Sequence, residues 1–123
     1  MATAAPVVLV VEDGPQMRRF LRTSLSAHGY RVIEAGTARE ALILARGHRP
    51  DLILLDLGLP GLSGLDVARA LSQSPDLHHT RLIALSGWSH DEARQKSLEA
   101  GFDDFLVKPV AIETLQQLLD LKP

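Results

Sequence analysis

The sequence predicts a doubly wound α/β sandwich, a parallel sheet with helices on both faces. Two observations predict it. Five short apolar runs lack the alternation of a half-exposed strand, which suits strands buried on both faces. The stretches between them repeat apolar residues at helical spacing, so the order is strand then helix, five times over. Right-handed crossovers convert that order into one sheet between two helical layers.

The first strand is Val7-Val8-Leu9-Val10-Val11, β-branched and uninterrupted. A helix follows from Pro15 to His28, with Met17, Phe20, Leu21 and Leu25 on one face and Arg18, Arg19 and Arg22 elsewhere. Pro15 suits a first helical position and Gly29 a C-terminal cap. Val32-Ile33 marks a shorter second strand. Thr37 with Glu40 three residues on forms a capping box for the second helix. Leu52-Ile53-Leu54-Leu55 is the third strand, and Leu65 to Leu71 a short third helix. Leu82-Ile83-Ala84-Leu85 is the fourth strand. Ser89 with Glu92 repeats the capping-box spacing, and Gly101 ends that helix. Phe105-Leu106-Val107 is the fifth strand. Val110, Ile112, Leu115, Leu118 and Leu119 then give an amphipathic helix after Pro109.

Composition excludes several classes. With 123 residues the chain is expected to form one domain spanning 1–123, with 1–5 and 122–123 loose and no output domain after the last helix. A net charge of -2 argues against general nucleic-acid affinity. Without cysteine there is neither a disulfide nor a thiolate metal site. No apolar run approaches the ~20 residues of a membrane span, and the N-terminus lacks the basic start of a secretory signal. A cytoplasmic domain with no direct nucleic-acid or membrane partner is the expectation.

Four strands end in a polar group: Glu12-Asp13 after the first, Asp56 after the third, Ser86 after the fourth and Lys108 after the fifth. In a parallel sheet these ends share one edge, where open α/β sheets bind ligands. Clustered carboxylates raise one another's pKa, a cost that a divalent cation removes. Oxygen ligands without cysteine point to Mg²⁺ over Zn²⁺. Lysine and a hydroxyl beside them suit an anionic group such as phosphate, with a carboxylate as nucleophile.

These residues, with the run Asp56-Leu57-Gly58-Leu59-Pro60-Gly61-Leu62-Ser63-Gly64 and the pairs Ser86-Gly87 and Lys108-Pro109, closely resemble the receiver domain of two-component response regulators. The resemblance covers essentially the whole chain. It implies a flavodoxin-like (CheY-like) five-stranded parallel sheet of order 2-1-3-4-5 with five helices. It implies that Asp56 accepts a phosphoryl group from a histidine kinase or a histidine phosphotransfer domain. Asp13, Asp56 and the Gly58 carbonyl would ligate Mg²⁺, and Glu12 would hold a metal-bound water. Ser86 and Lys108 would each contact a phosphoryl oxygen, and the peptide bond before Pro109 would be cis. On phosphorylation Ser86 would move and Phe105 would turn inward; Phe105 lacks the hydroxyl of the tyrosine common there, so the switch is expected to be apolar and graded. Gly58 and Trp88 flank the site, with Trp88 expected to influence the lifetime of the acyl phosphate. Such a domain assists its own modification and is no turnover enzyme. Arg18, Arg19 and Arg22 would meet the phosphodonor, and the last helix with the fourth could form a homodimer face. Ala84 to Trp88 and Glu99 to Asp103 are similar to receivers of hybrid histidine kinases, while a stand-alone receiver or an excised piece of a larger protein fits equally.

Blander readings compete. Glu12-Asp13 also suits the positive end of a helix, Phe105 ordinary core, and the arginines a solvated face. His78 and His79 lack companions at ligand spacing. Among rival functions, an inert interaction module does not need the full acidic, hydroxyl and lysine set. A haloacid-dehalogenase-type phosphatase needs an acid where Gly58 stands, and a nucleotide-binding flavodoxin-like protein needs a phosphate loop that is missing here.

Overall fold

A computed structural model describes residues 5–59, 64–77, 79–87 and 91–120. His78, Trp88, Ser89, residues 60–63 of the Asp56 run and the termini beyond 5 and 120 lie outside the described residues. The strands are β1 (Val7–Val11), β2 (Arg31–Ala35), β3 (Leu52–Asp56), β4 (Arg81–Ser86) and β5 (Asp104–Val107). They alternate with α1 (Pro15–Ala27), α2 (Ala38–His48), α3 (Gly64–Ser72), α4 (Asp91–Glu99) and α5 (Ile112–Asp120), and a 3-10 turn over Pro75–Leu77 precedes β4. All pairings are parallel and the sheet order is β2-β1-β3-β4-β5. Among the described residues, no helix is long and apolar enough to cross a membrane.

The unalternating strands are explained by what covers them. Leu9, Val11, Ile53, Leu55 and Ala84 face one core with Ala41 and Ala45 of α2 and Val67, Ala68 and Leu71 of α3. Their neighbours Val8, Val10, Leu52, Leu54, Ile83 and Leu85 face a second core with Leu21 and Leu25 of α1 and Leu115 and Leu118 of α5. Successive side chains point to opposite faces, so a strand between two apolar layers must be apolar throughout.

The helix boundaries follow local chemistry. Pro15 opens α1, and Gly29 follows it at φ 90, a conformation that costs glycine little. Thr37 Oγ1 accepts the Glu40 N–H at 3.1 Å, while Glu40 Oε1 accepts the Gly36 N–H at 3.2 Å. The end of α2 departs from the sequence pattern. Gly47 lies inside the helix, and Arg49 takes the left-handed turn at φ 47. Its N–H still bonds the Ala45 carbonyl at 2.9 Å, and Pro50 follows, which ends the helix.

This order places the site. After β2 the chain crosses from one side of β1 to the other, so β1 and β3 become neighbours at the point where winding reverses. Val11 pairs with Leu55 and Ser86 with Val107. The residues just past these pairs therefore gather at one end of the sheet.

Candidate functional site

Glu12 follows β1 and Asp56 ends β3; both are buried. Asp13 is exposed. Carboxylate oxygens of Glu12, Asp13 and Asp56 lie within 4.8 Å of one another. Two of the three are held by the turns they begin. Asp56 Oδ1 accepts the Gly58 N–H at 2.9 Å, and Glu12 Oε2 accepts the Gly14 N–H at 2.8 Å. Both are bonds from residue i to i+2, the local geometry that a carboxylate imposes on a turn.

Lys108 arrives from β5, three strand positions from β1 and two from β3. Its backbone N–H bonds the Ser86 carbonyl at 2.7 Å, and the Lys108–Pro109 peptide is cis. Nζ sits 2.5 Å from Glu12 Oε1 and 3.0 Å from Asp56 Oδ2. Burial pushes the Glu12 carboxyl above its ordinary 4.5, only partly offset by the hydrogen bonds from Lys108 and Gly14. Burial opposes the charge on Lys108, yet hydrogen bonds to Glu12 and Asp56 hold its amine above the ordinary 10.5.

Three carboxylates gather here, and two of them pair with the Lys108 ammonium. An all-oxygen cluster with surplus negative charge fits a hard divalent cation such as Mg²⁺, which binds through one or two carboxylates and keeps waters. The exposed Asp13 leaves one side of the cluster open to solvent.

The same site thus holds Glu12, Asp13, Asp56, Ser86 and Lys108, as the strand order requires. Ser86 is buried at the end of β4. Phe105, three residues before Lys108, is buried in the core beside α2 and α3. Gly58 is exposed next to Asp56. Trp88 lies outside the described residues.

Residues 8–120 match the sequence profile of the response regulator receiver domain. The chain belongs to this family. The receiver is 45% identical over 112 residues to the KDP operon transcriptional regulatory protein KdpE of Escherichia coli K12, covering 91% of this chain and 48% of KdpE. It spans about half the length of that relative. The chemotaxis protein CheY4 of Vibrio cholerae superposes with TM-score 0.89 at 31% identity, covering 95% of this chain and 98% of that one. The receiver domain of sensor histidine kinase PA1611 from Pseudomonas aeruginosa superposes with TM-score 0.86 at 32% identity, over 95% of this chain and 96% of its own. That structure holds a magnesium ion in the active site cleft. The chain is thus a receiver domain of a two-component system, with the CheY-like fold and the order 2-1-3-4-5.

Two features of the site were not legible in the residue order. Sequence reasoning aims Lys108 at a phosphoryl oxygen and Glu12 at a metal-bound water, whereas the two side chains pair with each other. The length of Glu over Asp was the available signal. The arginines of α1 also have a partner on β2. Glu34 lies 3.4 Å from Arg18 Nε and 3.2 Å from Arg22 Nη1, and Arg18 Nη1 donates to the Glu12 carbonyl at 3.3 Å.

Proposed function

We propose that Asp56 is the phosphoacceptor of this receiver, taking its phosphoryl group in the cytoplasm from a phosphohistidine on a histidine kinase or phosphotransfer domain. The observation that carries this reading is the Asp56 carboxylate, buried at the sheet edge with Lys108 Nζ 3.0 Å away and two further carboxylates beside it.

An Asp56 carboxylate oxygen bonds to phosphorus while the phosphorus–nitrogen bond to the donor imidazole breaks, the electron pair staying on nitrogen. Two anions must meet, and Lys108 lowers the cost by pairing with a phosphoryl oxygen in the transition state. Asp13, Asp56 and the Gly58 carbonyl would hold Mg²⁺, with Glu12 beside them. When bound, Mg²⁺ would supply the remaining positive charge against the phosphoryl oxygens. Water later cleaves the phosphorus–oxygen bond, which restores the carboxylate and releases phosphate. The domain is modified once per cycle and turns over no diffusing substrate.

Ser86 donates to the new phosphoryl group, and Phe105 follows it. Phe105 has no hydroxyl to bond, so its shift rests on ring burial alone and is graded. The readout surface is the side of the sheet where Val107 and Leu98 are exposed, open to a partner or a second copy. Arg19 and its neighbours on α1 meet the donor.

The test is incubation with Mg²⁺ and a small phosphodonor, followed by intact mass. Gain of one phosphoryl group, lost in Asp56→Asn and in EDTA, supports the reading. Full modification of Asp56→Asn refutes it.

A further inference from the structure

β5 lies at the edge of the sheet, registered to β4 from Ile83↔Asp104 to Ser86↔Val107. Its run Phe105-Leu106-Val107 is apolar without a break. Phe105 faces the core beside α2 and α3, and Leu106 the core beside α1 and α5. A slip of one residue would exchange one apolar side chain for another, so the hydrophobic pattern that ordinarily fixes register says little here. The same slip would turn the Lys108 side chain to the other face of the sheet. The ends of the strand must therefore supply the register. At one end the Lys108 N–H bonds the Ser86 carbonyl at 2.7 Å. At the other, Asp103 holds both backbone groups of Leu82. Its N–H donates to the Leu82 carbonyl at 2.6 Å, and its Oδ2 accepts the Leu82 N–H at 2.7 Å. Leu82 and Asp103 stand one residue before the first registered pair. Asp104 is a rival carboxylate one residue out of step, but its Oδ1 accepts the Phe105 N–H at 2.8 Å.

We infer that Asp103 is a positioning residue for phosphoryl transfer: its clasp on Leu82 sets the register of β5 and so holds Lys108 beside Asp56 from the opposite edge of the sheet. The inference rests on the reading of Lys108 as the cation that meets the phosphoryl group, and adds what places it there. Five residues at about 3.3 Å each put the clasp roughly 16 Å from Lys108 along the strand, so Asp103 acts without touching the reacting atoms. Asp51 makes the same clasp on Val7. Its N–H donates to the Val7 carbonyl at 2.8 Å and its Oδ2 accepts the Val7 N–H at 2.7 Å, again one residue before the first pair, Val8↔Leu52. There the clasp is redundant for register, because β1 is also paired to β2 and β3 to β4, over five residues each. The two aspartates thus make one bond in two settings, on a strand braced from both sides and on an edge strand that can slide.

Asp103→Ala and Asp51→Ala, made in the full chain, test this as a pair. Asp103 is exposed, so its variant should fold. Amide hydrogen exchange at Lys108, followed by NMR in EDTA, should be about tenfold faster in Asp103→Ala and within about twofold of wild type in Asp51→Ala. With Mg²⁺ and a saturating small phosphodonor, phosphoryl uptake read by intact mass should be about fivefold slower in Asp103→Ala, since a displaced lysine no longer meets the transition state. Asp51→Ala should keep the wild-type rate within about twofold. Asp103→Asn retains a side-chain oxygen for the Leu82 N–H and should restore both readouts. In a Lys108→Met background Asp103→Ala should slow uptake by less than about twofold more, because the group it positions is gone. Equal exchange at Lys108 in the two alanine variants, uptake by Asp103→Ala at the wild-type rate, or a fivefold loss that persists without Lys108 would each overturn the inference. Wild-type uptake by Lys108→Met would instead overturn the role given to Lys108 under the proposed function, and the exchange at Lys108 would still decide whether Asp103 sets the register.

Discussion

Lys108→Met removes the cation that faces two buried carboxylates while keeping most of its apolar stem. Glu12 and Asp56 are 2% and 6% exposed at the side chain, and Lys108 is 25% exposed. At an effective dielectric of about 20, an ammonium 3.0 Å from Asp56 Oδ2 is attracted by about 5.5 kcal/mol, before the cost of desolvating it. Breaking a buried pair by removing one partner costs about 3–5 kcal/mol net. Protonation limits the loss. Glu12 starts from 4.5, so neutralising it at pH 8 costs at most about 4.8 kcal/mol, at about 1.36 kcal/mol per pH unit, and at pH 6 about 2 kcal/mol. The expected deficit is therefore about 3–4 kcal/mol at pH 8 and about 1–2 kcal/mol at pH 6. The sign follows from a folded pKa raised above the unfolded one: the penalty is absent below 4.5 and grows as pH rises through the folded value. For 123 residues at about 2.1 cal/mol/K each, those deficits correspond to Tm losses of about 12–15 °C and about 4–8 °C. The assay is thermal unfolding by circular dichroism in EDTA and in millimolar Mg²⁺. The metal replaces the missing positive charge, so its stabilisation should be larger in the variant than in the wild type. An equal Tm in EDTA at pH 8, a deficit that does not shrink at pH 6, or a smaller Mg²⁺ shift in the variant would refute the reasoning.

The remaining predictions concern pH and backbone. Because the folded pKa of Lys108 lies above 10.5, its contribution is complete below that value and lost as pH rises through the folded one; the gap between wild type and Lys108→Met should close above about pH 10.5 in urea titrations. Gly64→Ala places a Cβ 2.9 Å from the Leu57 Cα and 3.2 Å from the Asp56 carbonyl oxygen. Backbone must move there, so the variant should lose about 1–3 kcal/mol and take up phosphoryl groups more slowly. Gly58→Ala, whose Cβ meets Asp56 Oδ1 at an ordinary 3.4 Å, should be as stable as wild type within about 0.5 kcal/mol. Arg49→Gly should raise Tm by about 2–4 °C, since glycine accepts φ 47 without the Cβ penalty. The ion pair it gives up, to Asp76 at 3.8 Å, is exposed on both sides and contributes little. A fall in Tm would count against that account.

The sequence by itself determined the order of the elements, the burial of both strand faces and the gathering of Glu12, Asp13, Asp56, Ser86 and Lys108 at one edge. These depend on short-range patterns: unbroken apolar runs, helical spacing, Pro15, Gly29 and the Thr37–Glu40 box. The family resemblance supplied the strand order that those patterns leave open. Tertiary structure alone decided which charges meet. Lys108 and Glu12 stand 96 positions apart, and no periodicity states whether an ammonium will settle on a carboxylate three strands away. The union of Arg18 and Arg22 with Glu34 is of the same kind, set by α1 lying against β2. The left-handed Arg49 is a subtler case, because Gly47 offers the residue that usually ends a helix. The chain instead runs two residues further before Pro50 turns it into β3. Local patterns encode where a side chain sits along its own element; the distance between elements, and hence every Coulomb term at this site, exists only once the sheet has formed.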